Sequence, residues 1–105
     1  MTAMGDDMWT AVALARRWLD EQNGCSAQEQ TLRILKIVEE AGEAAAAWVG
    51  VTGQNPRKGV THTPQDVADE LGDVAFSALV AAASLGFDPQ EVLARVAAKV
   101  NTRLQ

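Results

Sequence analysis

The chain has little of what many chemistries need. Its 105 residues hold one cysteine, one histidine, three prolines, two phenylalanines and no tyrosine. A single cysteine excludes an internal disulfide, which fits a reducing compartment. Cys25 reads as a plain loop residue, because a thiol nucleophile needs a base partner. His62 stands alone in a polar segment, with no histidine or cysteine companion at zinc-ligand spacing. Positive charge is also scarce: nine basic residues face fourteen acidic ones, a formal net charge of -5. Nucleic-acid polymers demand a basic footprint, so they are excluded as partners. A nucleotide is not, because a metal ion can neutralise its phosphates locally. The most apolar run, Val74 to Phe87, is too short to span a bilayer. Met1 to Asp7 shows neither the basic nor the apolar region of a signal peptide. These absences point to a cytoplasmic protein with no membrane partner.

Period-two alternation is missing as well, and hairpin turn signals with it, so no strand is expected. Helix signals are abundant. The first helix is expected to follow Asp6-Asp7 as its cap, to carry Trp9, Val12, Leu14, Ala15, Trp18 and Leu19, and to stop at Gly24. The second is announced by the capping-box pattern Ser26-Ala27-Gln28-Glu29 and is expected to end near Gly50. The third starts at Thr63-Pro64-Gln65-Asp66, with a cap, a proline at the first helical position and an acid in the first turn. It continues to Leu85, with Gly86 as its stop. The fourth repeats the device at Asp88-Pro89-Gln90-Glu91 and runs to the C-terminus. Val51 to His62 is the one real loop. The expectation is a single all-α domain over residues 1–105, a small four-helix bundle. A chain of this size has little surplus stability, so oligomerisation would help it.

Two acidic signatures sit inside the apolar helical runs: Glu39-Glu40-Ala41-Gly42-Glu43 and Glu70-Leu71-Gly72-Asp73. Residues three or four apart share a helix face, and like charges there cost roughly 0.2–0.5 kcal/mol per pair in an isolated helix. Either both faces are in water or a cation is supplied. A hard divalent ion, Mg²⁺ or Mn²⁺, takes oxygen ligands of this kind. At ~100° per residue, Ile34, Ile37, Val38, Ala41, Ala45 and Trp48 share one arc of the second helix. Glu39, Glu40 and Glu43 lie opposite, flanking Lys36. On the third helix Val67, Leu71, Val74 and Ala78 form a stripe with Glu70 and Asp73 at its edge. Antiparallel packing along these edges would bring Glu40, Glu43, Glu70 and Asp73 together.

The order Glu-Glu-x-x-Glu, a gap of 26 residues between Glu43 and Glu70, then Glu-x-x-Asp resembles the signature of the MazG-like all-α nucleoside triphosphate pyrophosphohydrolases. The loop Thr52-Gly53-Gln54-Asn55-Pro56-Arg57-Lys58-Gly59-Val60-Thr61-His62 resembles that of small actinobacterial MazG-like proteins. The resemblance covers the second and third helices and the loop between them. It implies Mg²⁺-dependent hydrolysis of a (deoxy)nucleoside triphosphate to the monophosphate and pyrophosphate, in a role such as nucleotide-pool housecleaning. It implies that Glu40, Glu43, Glu70 and Asp73 are metal ligands. Glu39 matches an extra acid that holds a second metal or orients the attacking water, so Glu39 and Glu40 are the catalytic candidates. It also implies a homodimer or homotetramer with sites near subunit interfaces.

Substrate contacts need positive charge and a surface for the base. Arg57 and Lys58 in the loop are phosphate candidates, as is the stripe Arg95, Lys99 and Arg103 on the fourth helix with Asn101 beside it. Trp48, just beyond the first acidic motif, is the candidate for stacking on a base. Two other readings stay open. One is phosphoribosyl-ATP pyrophosphohydrolase, with the same acid pattern and a similar length. The other is a non-catalytic all-α interaction module whose acids are surface features. A di-iron bundle fits poorly, because it expects Glu-x-x-His pairs and neither motif contains histidine.

Overall fold

A computed structural model describes the backbone from residue 4 to residue 105 and the side chains from residue 7. The fold is all-α. Four helices follow one another, α1 (Met4–Asn23), α2 (Ala27–Thr52), α3 (Pro64–Ser84) and α4 (Pro89–Leu104), and the described residues contain no strand. The chain divides into two compact units, Met1–Gln30 with Leu79–Gln105, and Thr31–Ala78.

The helix boundaries follow local chemistry. Ser26 Oγ accepts the Glu29 N–H at 3.2 Å, the first half of the expected capping box. At α3 the box is complete: Thr63 Oγ1 accepts the Asp66 N–H at 3.2 Å, and Asp66 Oδ2 accepts the Thr63 N–H at 2.8 Å. Asp88 caps α4, its Oδ1 accepting the Gln90 N–H at 2.9 Å ahead of Pro89. The end of α3 closes as a Schellman turn, with Phe87 N–H donating to Ala82 O (3.2 Å) and Gly86 N–H to Ala83 O (3.0 Å). Gly86 supplies the left-handed φ of 92° that this turn requires.

Two boundaries correct the sequence reading. Helix α1 already runs from Met4, so Asp6 and Asp7 lie inside its first turns and do not precede it as a cap. Helix α2 passes through Gly50 and ends at Thr52. Its stop is Gly53, at φ 64°, with Gln54 N–H reaching back to Val49 O at 3.3 Å.

In the first unit the core is aliphatic. Val12 of α1 is almost wholly buried, with Leu79, Val80, Ala81 and Ala83 of α3. Ser84 is buried there too, its hydroxyl donating to Val80 O at 2.8 Å. The Gln30 side chain reaches Ser84 O at 3.3 Å, tying the start of α2 to the end of α3. Helix α4 buries none of its residues, and Leu93, Val96, Val100 and Leu104 all remain exposed.

The second unit is a helical hairpin. Its buried residues on α2 are Arg33, Ala44, Ala47 and Gly50. At about 100° per residue, Arg33, Glu40, Ala44 and Ala47 fall within about 60° of one another. The acid-bearing side of α2 is therefore the packed side. The apolar arc is mostly outside: Ile34, Val38 and Trp48 are exposed, Ile37 is half-buried, and Leu71 on α3 is exposed as well.

Candidate metal centre

Antiparallel pairing of α2 and α3 determines which side chains meet. Thr61 N–H donates to Gly50 O at 2.9 Å near the loop. Two turns further from the loop, Glu40 and Glu43 of α2 meet Glu70 of α3. One carboxylate oxygen from each of these three lies within 4.8 Å of the others. Three of the four expected ligands thus converge. Asp73 is exposed, one turn further along α3, and stands outside this group.

The three acids sit in different surroundings. Glu70 is half-buried, and its Oε2 is enclosed with no hydrogen-bond partner. Buried carboxylate oxygens are costly when left unpaired. The Glu40 side chain is only 12% exposed, and Oε1 lies 3.2 Å from Lys36 Nζ. Glu43 is exposed. The Glu40 charge pushes its carboxyl above the usual glutamate range, helped by desolvation and by Glu70 and Glu39. An all-oxygen donor set, crowded enough to raise a carboxyl pKa and with one enclosed oxygen unsatisfied, fits a hard divalent cation.

Glu39 has a different partner. It is exposed, and its Oε1 accepts from Lys36 Nζ at 2.9 Å. Lys36 therefore bridges Glu39 and Glu40, and these two acids hold its ammonium pKa up. The sequence signal for this bridge is the i, i+3 and i, i+4 spacing of Lys36-x-x-Glu39-Glu40.

The remaining candidates are dispersed. Trp48 is exposed and points about 140° around α2 from Glu43, by the 100° helical step. Arg57 and Lys58 are exposed in the loop of the second unit. Lys58 lines a cavity there with Asn55, Thr61 and His62, and Arg57 does not. Lys99, Asn101 and Arg103 are exposed on α4, in the first unit. Cys25 is exposed and free. Among the described residues no single helix is long and apolar enough to cross a membrane.

Sequence reasoning missed two features here. Arg33 is buried on the acid-bearing side of α2. Gly50 has no room for a side chain, since a Cβ there would strike the His62 ring and the Thr61 hydroxyl.

Residues 12–100 match the family model described as phosphoribosyl-ATP pyrophosphohydrolase. The comparisons with curated proteins and with solved structures return no match.

Proposed function

Since the chain belongs to the phosphoribosyl-ATP pyrophosphohydrolase family, within the MazG-like all-α nucleoside triphosphate pyrophosphohydrolase superfamily, we propose that it hydrolyses the α–β phosphoanhydride of a nucleoside triphosphate and releases pyrophosphate. Family membership supports a hydrolase acting on phosphoric anhydrides. The observation that carries the reading to these residues is the convergence of Glu40, Glu43 and Glu70, with one enclosed Glu70 oxygen left without a hydrogen-bond partner.

Glu40, Glu43 and Glu70 would hold Mg²⁺ or Mn²⁺, with Asp73 one turn away as a fourth carboxylate. Such an ion neutralises phosphate oxygens and lowers the pKa of a bound water. Without it the carboxylates repel a triphosphate, so the metal-free protein should bind nucleotides poorly. Glu39, paired with Lys36 outside the three-carboxylate group, would orient a water at its rim. For Lys99, Asn101 and Arg103 the proposal is a phosphate-holding role, with Lys99→Ala as its separate test.

Two substrates compete. A (deoxy)nucleoside triphosphate, hydrolysed in nucleotide housecleaning, is the first reading. Phosphoribosyl-ATP is the second, and it fits the family match equally well. Both lose pyrophosphate by the same chemistry, so one assay covers them. The protein is incubated with each candidate and Mg²⁺ or Mn²⁺, and pyrophosphate is distinguished from orthophosphate. Orthophosphate as first product overturns the proposal. A non-catalytic module would instead bind Mn²⁺ as weakly as its Glu43→Gln and Asp73→Asn variants do by calorimetry.

We also propose a homodimer or homotetramer in the cytoplasm. Helix α4 exposes Leu93, Val96, Val100 and Leu104, and α2 exposes Leu35 and Val38. Val96→Glu should lower the sedimentation coefficient if α4 lies in the interface. An unchanged monomeric value for both wild type and variant removes the oligomer proposal.

A further inference from the structure

Beyond the carboxylates, the second unit holds a cavity of about 370 Å³ between the last turns of α2 and the loop that follows. That volume lies near the lower end of small-molecule pockets, which run from about 300 to 1,000 Å³. Ala46 and Val49 give it apolar surface, and Asn55, Lys58, Thr61 and His62 give it polar groups.

Its place on α2 connects it with the metal centre. Ala46 and Gly50 lie three and seven residues beyond Glu43. They fall within about 60° and 20° of its direction and roughly 4.5 and 10.5 Å further along the axis. One face of α2 therefore runs from Lys36 through Glu40 and Glu43 to the cavity. Ala46 adds only a methyl group between them.

The walls are built in advance. The Thr61 and His62 side chains lie against Gly50, where a Cβ would strike both. Glycine inside a helix costs roughly 1 kcal/mol relative to alanine, and here it permits the loop to lie on the helix. Asn55 shapes the turn, its backbone carbonyl accepting the N–H groups of Lys58 (3.1 Å) and Gly59 (2.9 Å). Its side-chain Oδ1 accepts the Arg57 N–H at 3.1 Å, which leaves the amide NH₂ as a donor. Thr61 Oγ1 and His62 Nδ1 pair at 2.8 Å, which leaves Nε2 for a ligand. No carboxylate lines the cavity, and Lys58 is its one fixed positive charge.

Resting on the reading of the carboxylates as the phosphate end, we infer that this cavity receives the sugar and base of the nucleotide. Apolar surface from Ala46 and Val49 meets the flat faces of the nucleoside. Asn55 and His62 supply hydrogen bonds to its hydroxyls or base edge. A nucleotide so placed lies along α2, with its phosphates toward Glu43 and its nucleoside toward the loop.

His62 is the only histidine in the chain, so its imidazole proton signals can be followed without assignment. The full chain is titrated in EDTA with adenosine, guanosine, cytidine and thymidine, and separately with inorganic pyrophosphate. At least one nucleoside should shift the His62 signals and pyrophosphate should not. Shifts with pyrophosphate alone would make the cavity an anion site and overturn the inference. Ala46→Leu, which fills the cavity on a solvent-facing helix position, should raise KM roughly tenfold, about 1.4 kcal/mol of binding, with kcat within about twofold. An unchanged KM in Ala46→Leu and in Asn55→Ala, with no nucleoside shifting His62, also overturns it. The two readings fail separately. Glu43→Gln should abolish pyrophosphate release while leaving the nucleoside shift intact. A nucleoside shift without pyrophosphate release from any nucleotide would remove the hydrolase reading alone.

Discussion

The first unit closes around aliphatic side chains, burying Val12 of α1 together with Leu79 and Val80 of α3. The second closes around Arg33, Ala44, Ala47 and Gly50, and its half-buried residues include Glu40 and Glu70 alongside Ile37, Val67, Val74 and Phe76. One unit gains its stability from removing hydrocarbon from water. In the other, small side chains are buried on the acid-bearing side, and carboxylates from both helices lie within 4.8 Å of one another. That arrangement stores like-charge repulsion at the edge of the packed face. On the proposed function, stability and chemistry are divided between units, a local form of the trade-off common at functional sites.

The division can be broken from either side. Leu79→Ala should cost about 2–5 kcal/mol of stability, as for other buried leucines, and should leave the three-carboxylate cluster intact in the folded fraction. Urea unfolding with and without Mn²⁺ checks both parts, and a loss of metal-induced stabilisation would show that the units are not separable in this way.

Glu43→Gln should act in the opposite sense. The folded carboxyl pKa is raised above its unfolded value, chiefly by Glu40. The stability it contributes is therefore present at acid pH and is lost as pH rises through the folded pKa. Removing the charge should raise the melting temperature in EDTA at neutral pH, and the gain should vanish in acid, where Glu43 is protonated. Pyrophosphate release should fall by about 100-fold or more, at or beyond the 10–100-fold loss seen on mutating groups that support metal ligands. A melting temperature that drops at neutral pH in EDTA would contradict the stored repulsion.

Gly50→Ala tests the close approach within the second unit. The added methyl meets Thr61 and His62, and overpacking of this kind costs about 1–3 kcal/mol. The expected readout is a lower urea midpoint together with a displaced His62 imidazole signal.

The smallest effect concerns the start of α3. Hydrogen bonds from Thr63, the backbone N–H first, hold the Asp66 carboxyl below its usual pKa. Its contribution is present above the unfolded pKa and is lost as pH falls through the folded one. Asp66→Asn should flatten the acid limb of the stability curve while leaving metal affinity unchanged. A parallel loss at every pH would mean that the charge is not what the cap uses.

Much of this fold is written in short-range signals. The Ser26, Thr63 and Asp88 caps, Pro64 and Pro89 at helix starts, and Gly24 and Gly86 beyond helix ends mark their boundaries through hydrogen bonds made within a few residues. The meeting of Glu40, Glu43 and Glu70 was legible too, because helical spacing and an antiparallel hairpin together bring them near. The choice of packed face was not. Helix α2 offers two plausible faces, one apolar and one acidic with small residues, and periodicity ranks them by hydrophobicity alone. The small residues Ala44, Ala47 and Gly50 are the ones buried, and which small residues are covered depends on what is laid on them, not on their own sequence segment. Gly50 illustrates the same limit: it looks like a helix stop, and its function becomes visible only once Thr61 and His62 are laid on it. Likewise Asp73 shares a motif with Glu70 but not its surroundings.

The Asn55 turn has one more consequence. Arg57 and Lys58 form an exposed dibasic pair, the sequence that a trypsin-like protease cuts when it can draw the chain out as an extended strand. Here Asn55 holds the N–H groups of Arg57 and Lys58, both at 3.1 Å. Cleavage must therefore wait for the turn to open, and its rate measures how often the loop leaves the helix.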